Sequence, residues 1–89
     1  MNKQKLPNEY LSEFGHRLKL IRVVLKLDQK QMSQALETAQ SQISKIEAGN
    51  AGPTLHQLLK LKELIEKDDS LRKNISWGWI LKGKGRGIL

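Results

Sequence analysis

The chain has no cysteine, so neither a disulfide framework nor a thiolate metal site supplements its core, as expected of a protein of the reducing cytoplasm. No apolar run approaches the roughly 20 residues that span a bilayer, and the N-terminus, MNKQKLPNEYL, carries none of signal-peptide length. The protein is therefore expected to be soluble and unexported, with no membrane partner. Its two histidines, His16 and His56, lie in separate segments with no carboxylate pair at ligand spacing, which argues against a metal centre. No nucleophile, base and orienter occur as a set, and "KGKGRG" (residues 82–87) lacks the order and context of a phosphate-binding loop. Neither catalysis nor a cofactor is expected. Aromatic residues are scarce at 4%, and there is no period-two alternation or internal repeat.

What is present is positive charge and helical periodicity. A chain of 89 residues makes one domain that hides only about 60 to 65% of its unfolded surface, so the core is small and a deep enclosed active site is not expected. The formal charge of +7 and a pI near 9.9 favour a polyanionic partner, either nucleic acid or an anionic surface.

The spacing predicts five helices and an all-α class. Leu11, Phe14, Leu18, Ile21 and Leu25 recur at three and four, the period of an amphipathic helix, with Asn8 after Pro7 as its expected N-cap. Asp28 followed by Gln31 opens a second, shorter helix in capping-box fashion, with Met32, Ala35 and Leu36 on its buried side. "LETA" interrupts the pattern before a third helix that carries Ile43 and Ile46 and ends at Gly49. Pro53 and Thr54 start a fourth, with Gln57 completing the cap and Leu55, Leu58, Leu61 and Ile65 as its stripe. "KDDSLRKN" reads as a polar link, and "SWGWILKG" as a final short helix between Ser76 and Gly83. The organisation is then a flexible segment at 1–8, a compact domain at 9–83, and a basic, glycine-rich, disordered tail at 84–89.

The third helix is the unusual one. In "AQSQISKIEAG", residues 39–49, only the two isoleucines are large and apolar, and the remaining face consists of amides, hydroxyls and one lysine. At 100° per residue, Ala39, Ile46 and Glu47 fall on the Ile43 side, whereas Ser41, Ser44, Lys45 and Ala48 point away. Two short helices joined by a tight turn, the second with a polar outer face, form the arrangement that places a helix in the DNA major groove. Amides bond adenine bidentately there, and lysine donates to guanine.

Over residues 14–85 the sequence resembles the Xre family, the Cro and phage-repressor type of helix-turn-helix protein. The resemblance rests on "FGHRLKLIR", "LDQKQMSQAL", "SQISKIEAGN", "GPTLHQLLKL" and "WILKGKG", and most specifically on Gln29, Met32, Ile43, Ser44, Ile46, Glu47, Gly49 and Pro53. It implies a compact five-helix, lambda-repressor-like domain that binds double-stranded DNA sequence-specifically as a homodimer, most often as a transcriptional repressor on a palindromic operator. By position it implies base contacts for Gln40, Ser41 and Lys45, and backbone or mixed contacts for Gln29, Gln42, Ser44 and Asn50. Arg22 and Glu47, both at the edge of an inward face, read as a structural ion pair, which the resemblance also implies. The sequence departs from the family pattern at Glu37, where a turn glycine is usual, at Ser33 in place of a small alanine, and at Ala39 in place of a capping serine or threonine. Thr38 offers a cap one residue earlier.

Trp79 is expected in the core, while Trp77, Leu64, Leu71, Ile88 and Leu89 exceed what a small domain needs and suggest a dimer face. Two other functions fit the same fold: an antitoxin that neutralises a toxin partner and represses its own operon, and a protein-interaction domain without DNA binding. The donor-rich outer face of the third helix favours DNA.

Overall fold

The computed structural model describes residues 6–88. Within them the chain is all-helical, with α1 (Pro7–Val24), α2 (Gln29–Ala35), α3 (Gln40–Glu47), α4 (Leu55–Glu66), α5 (Asp69–Asn74) and α6 (Trp77–Lys82). The expected five helices are thus six, because "KDDSLRKN" is not a link. Asp68 accepts the backbone N–H of Leu71 and caps α5, while Leu71 itself is buried in the core. One cap and one buried leucine stabilise a short helix whose other residues are polar.

The start of α1 also differs from expectation. Pro7 takes the first helical position and Leu6 the N-cap, without a side-chain cap, so Asn8 lies inside the helix. A proline whose N–H is absent anyway suits the position where that N–H has no partner. Both capping boxes form: Asp28 with Gln31 opens α2, and Thr54 with Gln57 opens α4.

Three helix ends share one device. Leu27 N–H reaches the Arg22 carbonyl, Thr38 N–H the Ser33 carbonyl, and Asn50 N–H the Lys45 carbonyl, which is the outer bond of a Schellman turn closing α1, α2 and α3. Each turn needs one left-handed residue. Gly49 supplies it at the end of α3, but Lys26 (φ 60°) and Glu37 (φ 56°) occupy the other two, at a cost on the order of 1 kcal/mol each.

Phe14, Leu18 and Ile21 from α1 pack with Met32, Leu36, Ile43 and Ile46 from the helix pair and with Leu61, Ile65, Leu71, Trp79 and Ile80 from the rest. Gly15 lets α1 and α3 approach closely: a Cβ there would overlap the Ile46 carbonyl oxygen and lie 3.0 Å from that of Glu47. Leu55, expected on the buried stripe of α4, points outward instead and is exposed.

The C-terminal tail is folded, not loose. Ser76 N–H donates to the Arg86 carbonyl at 2.9 Å, its hydroxyl also reaches Arg86 O at 3.2 Å, and a Cβ at Gly87 would overlap the Trp79 indole. Gly87→Ala should therefore free the tail from Trp79 at a loss of about 1 to 2 kcal/mol. An unchanged denaturation midpoint and unchanged tryptophan emission would mean that the tail does not lie on the ring.

Candidate nucleic-acid interface

The polar outer face of α3 is built from short-range rules. Ile43 and Ile46 are fully buried, and that anchoring turns Gln40, Ser41, Ser44 and Lys45 to the exposed side, with Gln42 half-buried on the flank. Asn50 stands exposed just beyond the Schellman turn. Among the described residues, no intrachain hydrogen bond or ion pair engages the side chains of these six. A helix N-terminus carrying free amide and hydroxyl donors presents hydrogen-bonding capacity that the fold itself does not use.

What fixes this face is a cluster at the opposite end of α3. Arg22 donates from Nε to Glu47 Oε2 at 2.7 Å and from Nη2 to Glu47 Oε1 at 3.0 Å, a fork-on-fork pair. Its third nitrogen, Nη1, donates to the Leu27 carbonyl at 2.9 Å. The Glu47 hydrogen bonds raise the Arg22 pKa, against the opposing effect of burial. Gln29 Nε2 adds a further donor to Glu47 Oε1 at 3.2 Å. The end of α1 and the first turn of α2 thus meet the last turn of α3 at one carboxylate, and Arg22 ties in the loop after α1. Because an amide nitrogen carries two protons, Gln29 keeps one for an outside acceptor.

The turn between α2 and α3 is held from the other side by α4. Thr38 does not cap α3, whose N-cap Ala39 makes no side-chain bond; its hydroxyl accepts from Gln57 Nε2 at 3.2 Å. Gln57 is buried, and its Oε1 accepts the Thr54 N–H, so one amide both caps α4 and clamps the turn. At the strained Glu37, His56 Nε2 donates to Oε1 at 3.0 Å and Lys60 Nζ lies 3.4 Å from Oε2. The His56 hydrogen bond and then the Lys60 charge hold the Glu37 carboxyl below its usual range, so this contact is lost as acid protonates it. Ser33, at the helix crossing, is buried and donates to the Lys30 carbonyl at 2.6 Å.

Some positioning residues leave no clear mark in the sequence. Gln57 was legible only as a capping partner. Arg17 is buried and donates to the carbonyls of Ile80 at 2.9 Å and Leu81 at 3.2 Å, tying α1 to α6; burial lowers its pKa, and the negative charge of Glu13 offsets part of that. The suggested dimer face is largely internal. Leu71 is core, and Leu64, Trp77 and Ile88 are partly buried against the core; Leu89 lies outside the described residues. Among the described residues, no helix is long and apolar enough to cross a membrane, and no group of three or more His, Cys, Asp or Glu is placed to hold a metal ion.

Two short helices joined by a tight left-handed turn, the second seated on α1 with a polar face outward, define a helix-turn-helix domain. The chain matches the helix-turn-helix domain family over residues 15–86 and belongs to it. No curated protein matches it significantly, nor does any solved structure.

Proposed function

We propose that the protein binds double-stranded DNA sequence-specifically through α3 and regulates transcription in the cytoplasm, as a homodimeric repressor on a palindromic operator. The observation that carries this reading is the exposed, unengaged donor face of α3, held rigidly from behind by the Arg22–Glu47–Gln29 cluster. Gln40, Ser41 and Lys45 read base edges; Gln42, Ser44 and Asn50 lie against the backbone. Gln29 donates its second amide proton to a phosphate while Glu47 fixes its rotamer. A chain of formal charge +7 supplies the attraction to the duplex, and a bound dimer represses by occupying the promoter. Half-sites then lie about 34 Å apart, one helical turn, so that both copies of α3 enter major grooves on one face.

The test separates reading from holding. Sites selected from random duplexes should give one motif with two-fold symmetry. On that operator Gln40→Ala and Lys45→Ala should each cost about 1 to 3 kcal/mol per half-site and relax preference at particular base pairs. Gln29→Ala should weaken cognate and scrambled duplexes by similar factors, since a phosphate contact carries no sequence information. If the cognate-to-scrambled ratio is the same for wild type and the two α3 variants, α3 is not the reader, and a protein-interaction role for the domain gains instead.

A further inference from the structure

Three of the exposed large apolar side chains sit together where α4 meets α6. Leu55 is 72% exposed, Leu59 52% and Leu81 46%, and with Leu58, Lys62 and Trp77 they line one shallow groove. Leu55 and Leu59 are four apart on α4 and form a leucine ridge that is one wall of that groove. We infer that this face is where a second copy of the chain binds, with the leucine ridge of each copy seated in the groove of the other.

A ridge next to a groove is self-complementary under a two-fold axis, since each surface meets the other kind on its partner. Charge points the same way. Two chains of formal charge +7 repel wherever their cations meet, and among the described residues Lys62 is the one charged residue lining this groove. An acidic partner would be drawn to the cationic surface elsewhere rather than to a leucine face. The patch offers on the order of 300 Å² of apolar surface, the size of the largest such patch on a typical monomer, which is often a functional one. Enlarged by a polar rim, it makes the centre of an interface of about 800 Å² per partner. Its location also fits. α3 packs on α1 and α2 while the patch belongs to α4 and α6, so pairing here leaves the outer side of α3 free in both copies. Of the described residues suggested from sequence as a dimer face, Trp77 belongs to this groove and Leu64, Leu71 and Ile88 do not.

This deepens the DNA-binding reading, on which it rests for the use of two α3 helices, but pairing is measured without DNA. Sedimentation equilibrium of the full chain over a wide concentration range should show a reversible monomer–dimer equilibrium. Leu59→Glu and Leu55→Glu should each weaken it at least about tenfold, with unchanged far-ultraviolet circular dichroism; a glutamate at position 55 sits in the first turn of α4, where the helix dipole favours it. Val23→Glu, at an exposed position on α1, should leave the equilibrium as it is. A wild type that stays monomeric throughout overturns the inference, as do leucine variants that pair as tightly as wild type. Base preference that survives Gln40→Ala and Lys45→Ala counts against the reading of DNA and leaves the pairing result standing.

Discussion

Gly15→Ala is expected to destabilise the domain by more than about 3 kcal/mol, a large fraction of what a domain of this size has. On helix propensity alone the change should help, because alanine is favoured over glycine inside a helix by about 1 kcal/mol. Packing reverses the sign. The added methyl would overlap the Ile46 carbonyl oxygen and lie 3.0 Å from the Glu47 carbonyl oxygen. Both are backbone atoms of α3, with no side chain that can turn aside, so relief requires α1 and α3 to separate along their shared core of Phe14, Leu18, Ile43 and Ile46. Gly52→Ala is the control, since there the new Cβ meets only the tip of the Leu11 side chain at 3.0 Å, and a loss below about 1 kcal/mol is expected. Urea denaturation of the three proteins decides it. A Gly15→Ala domain within about 0.5 kcal/mol of wild type would show that α1 and α3 are not in backbone contact. Because that contact sets how far α3 stands off the domain, a surviving folded fraction should also bind operator poorly.

Features made by near neighbours in sequence were the legible ones. Asp28 with Gln31 and Thr54 with Gln57 are three apart, so their capping boxes follow from spacing, and so does the division of α3 into an Ile43–Ile46 side and a donor side. Glu37 stands out because the resembled family places glycine there; Lys26 adopts the same left-handed conformation without any such signal. α5 was hidden because its one buried residue, Leu71, sets no periodicity, and its remaining residues look like a solvated link. The outward direction of Leu55 depends on where α6 and its neighbours lie, which no local pattern encodes. Arg17 and Gln57 act over separations of 63 and 19 residues, and long polar side chains of this kind read as surface until their partners are placed. The tail reads as disordered because glycine and basic residues make up most of it, yet Gly87 is what allows its backbone to lie on Trp79.

Glu47→Ala should cost about 2 to 4 kcal/mol, far more than the loss of a surface ion pair. Only 5% of the Glu47 side chain and 13% of that of Arg22 are exposed, so water screens the pair poorly and cannot easily replace a lost partner. Removing the carboxylate strands the Arg22 guanidinium, with the Leu27 carbonyl as its remaining acceptor, and leaves Gln29 without its anchor. Arg22→Ala alone should cost a similar amount, because Glu47 then keeps a buried charge beside one amide donor. The double variant should be more stable than the sum of the two losses predicts, by at least about 1 kcal/mol, since the second truncation removes a charge the first had orphaned. Glu47→Gln distinguishes charge from hydrogen bonding: its amide oxygen can still accept from one guanidinium nitrogen, so its loss should fall between zero and that of alanine. The cluster also connects stability to function. Arg22 and Gln29 hold the end of α3 from α1 and α2, so Glu47→Ala should weaken duplex binding at temperatures where the variant remains fully folded. Cognate and scrambled duplexes should lose affinity alike through the freed Gln29, with an added cognate loss as α3 shifts. Thermal melts of wild type and the four variants, read beside duplex titrations at fixed salt, test both halves. Strictly additive losses would mean that the two side chains do not meet in solution, and intact operator affinity in a folded Glu47→Ala protein would mean that the cluster stabilises the domain without aiming α3.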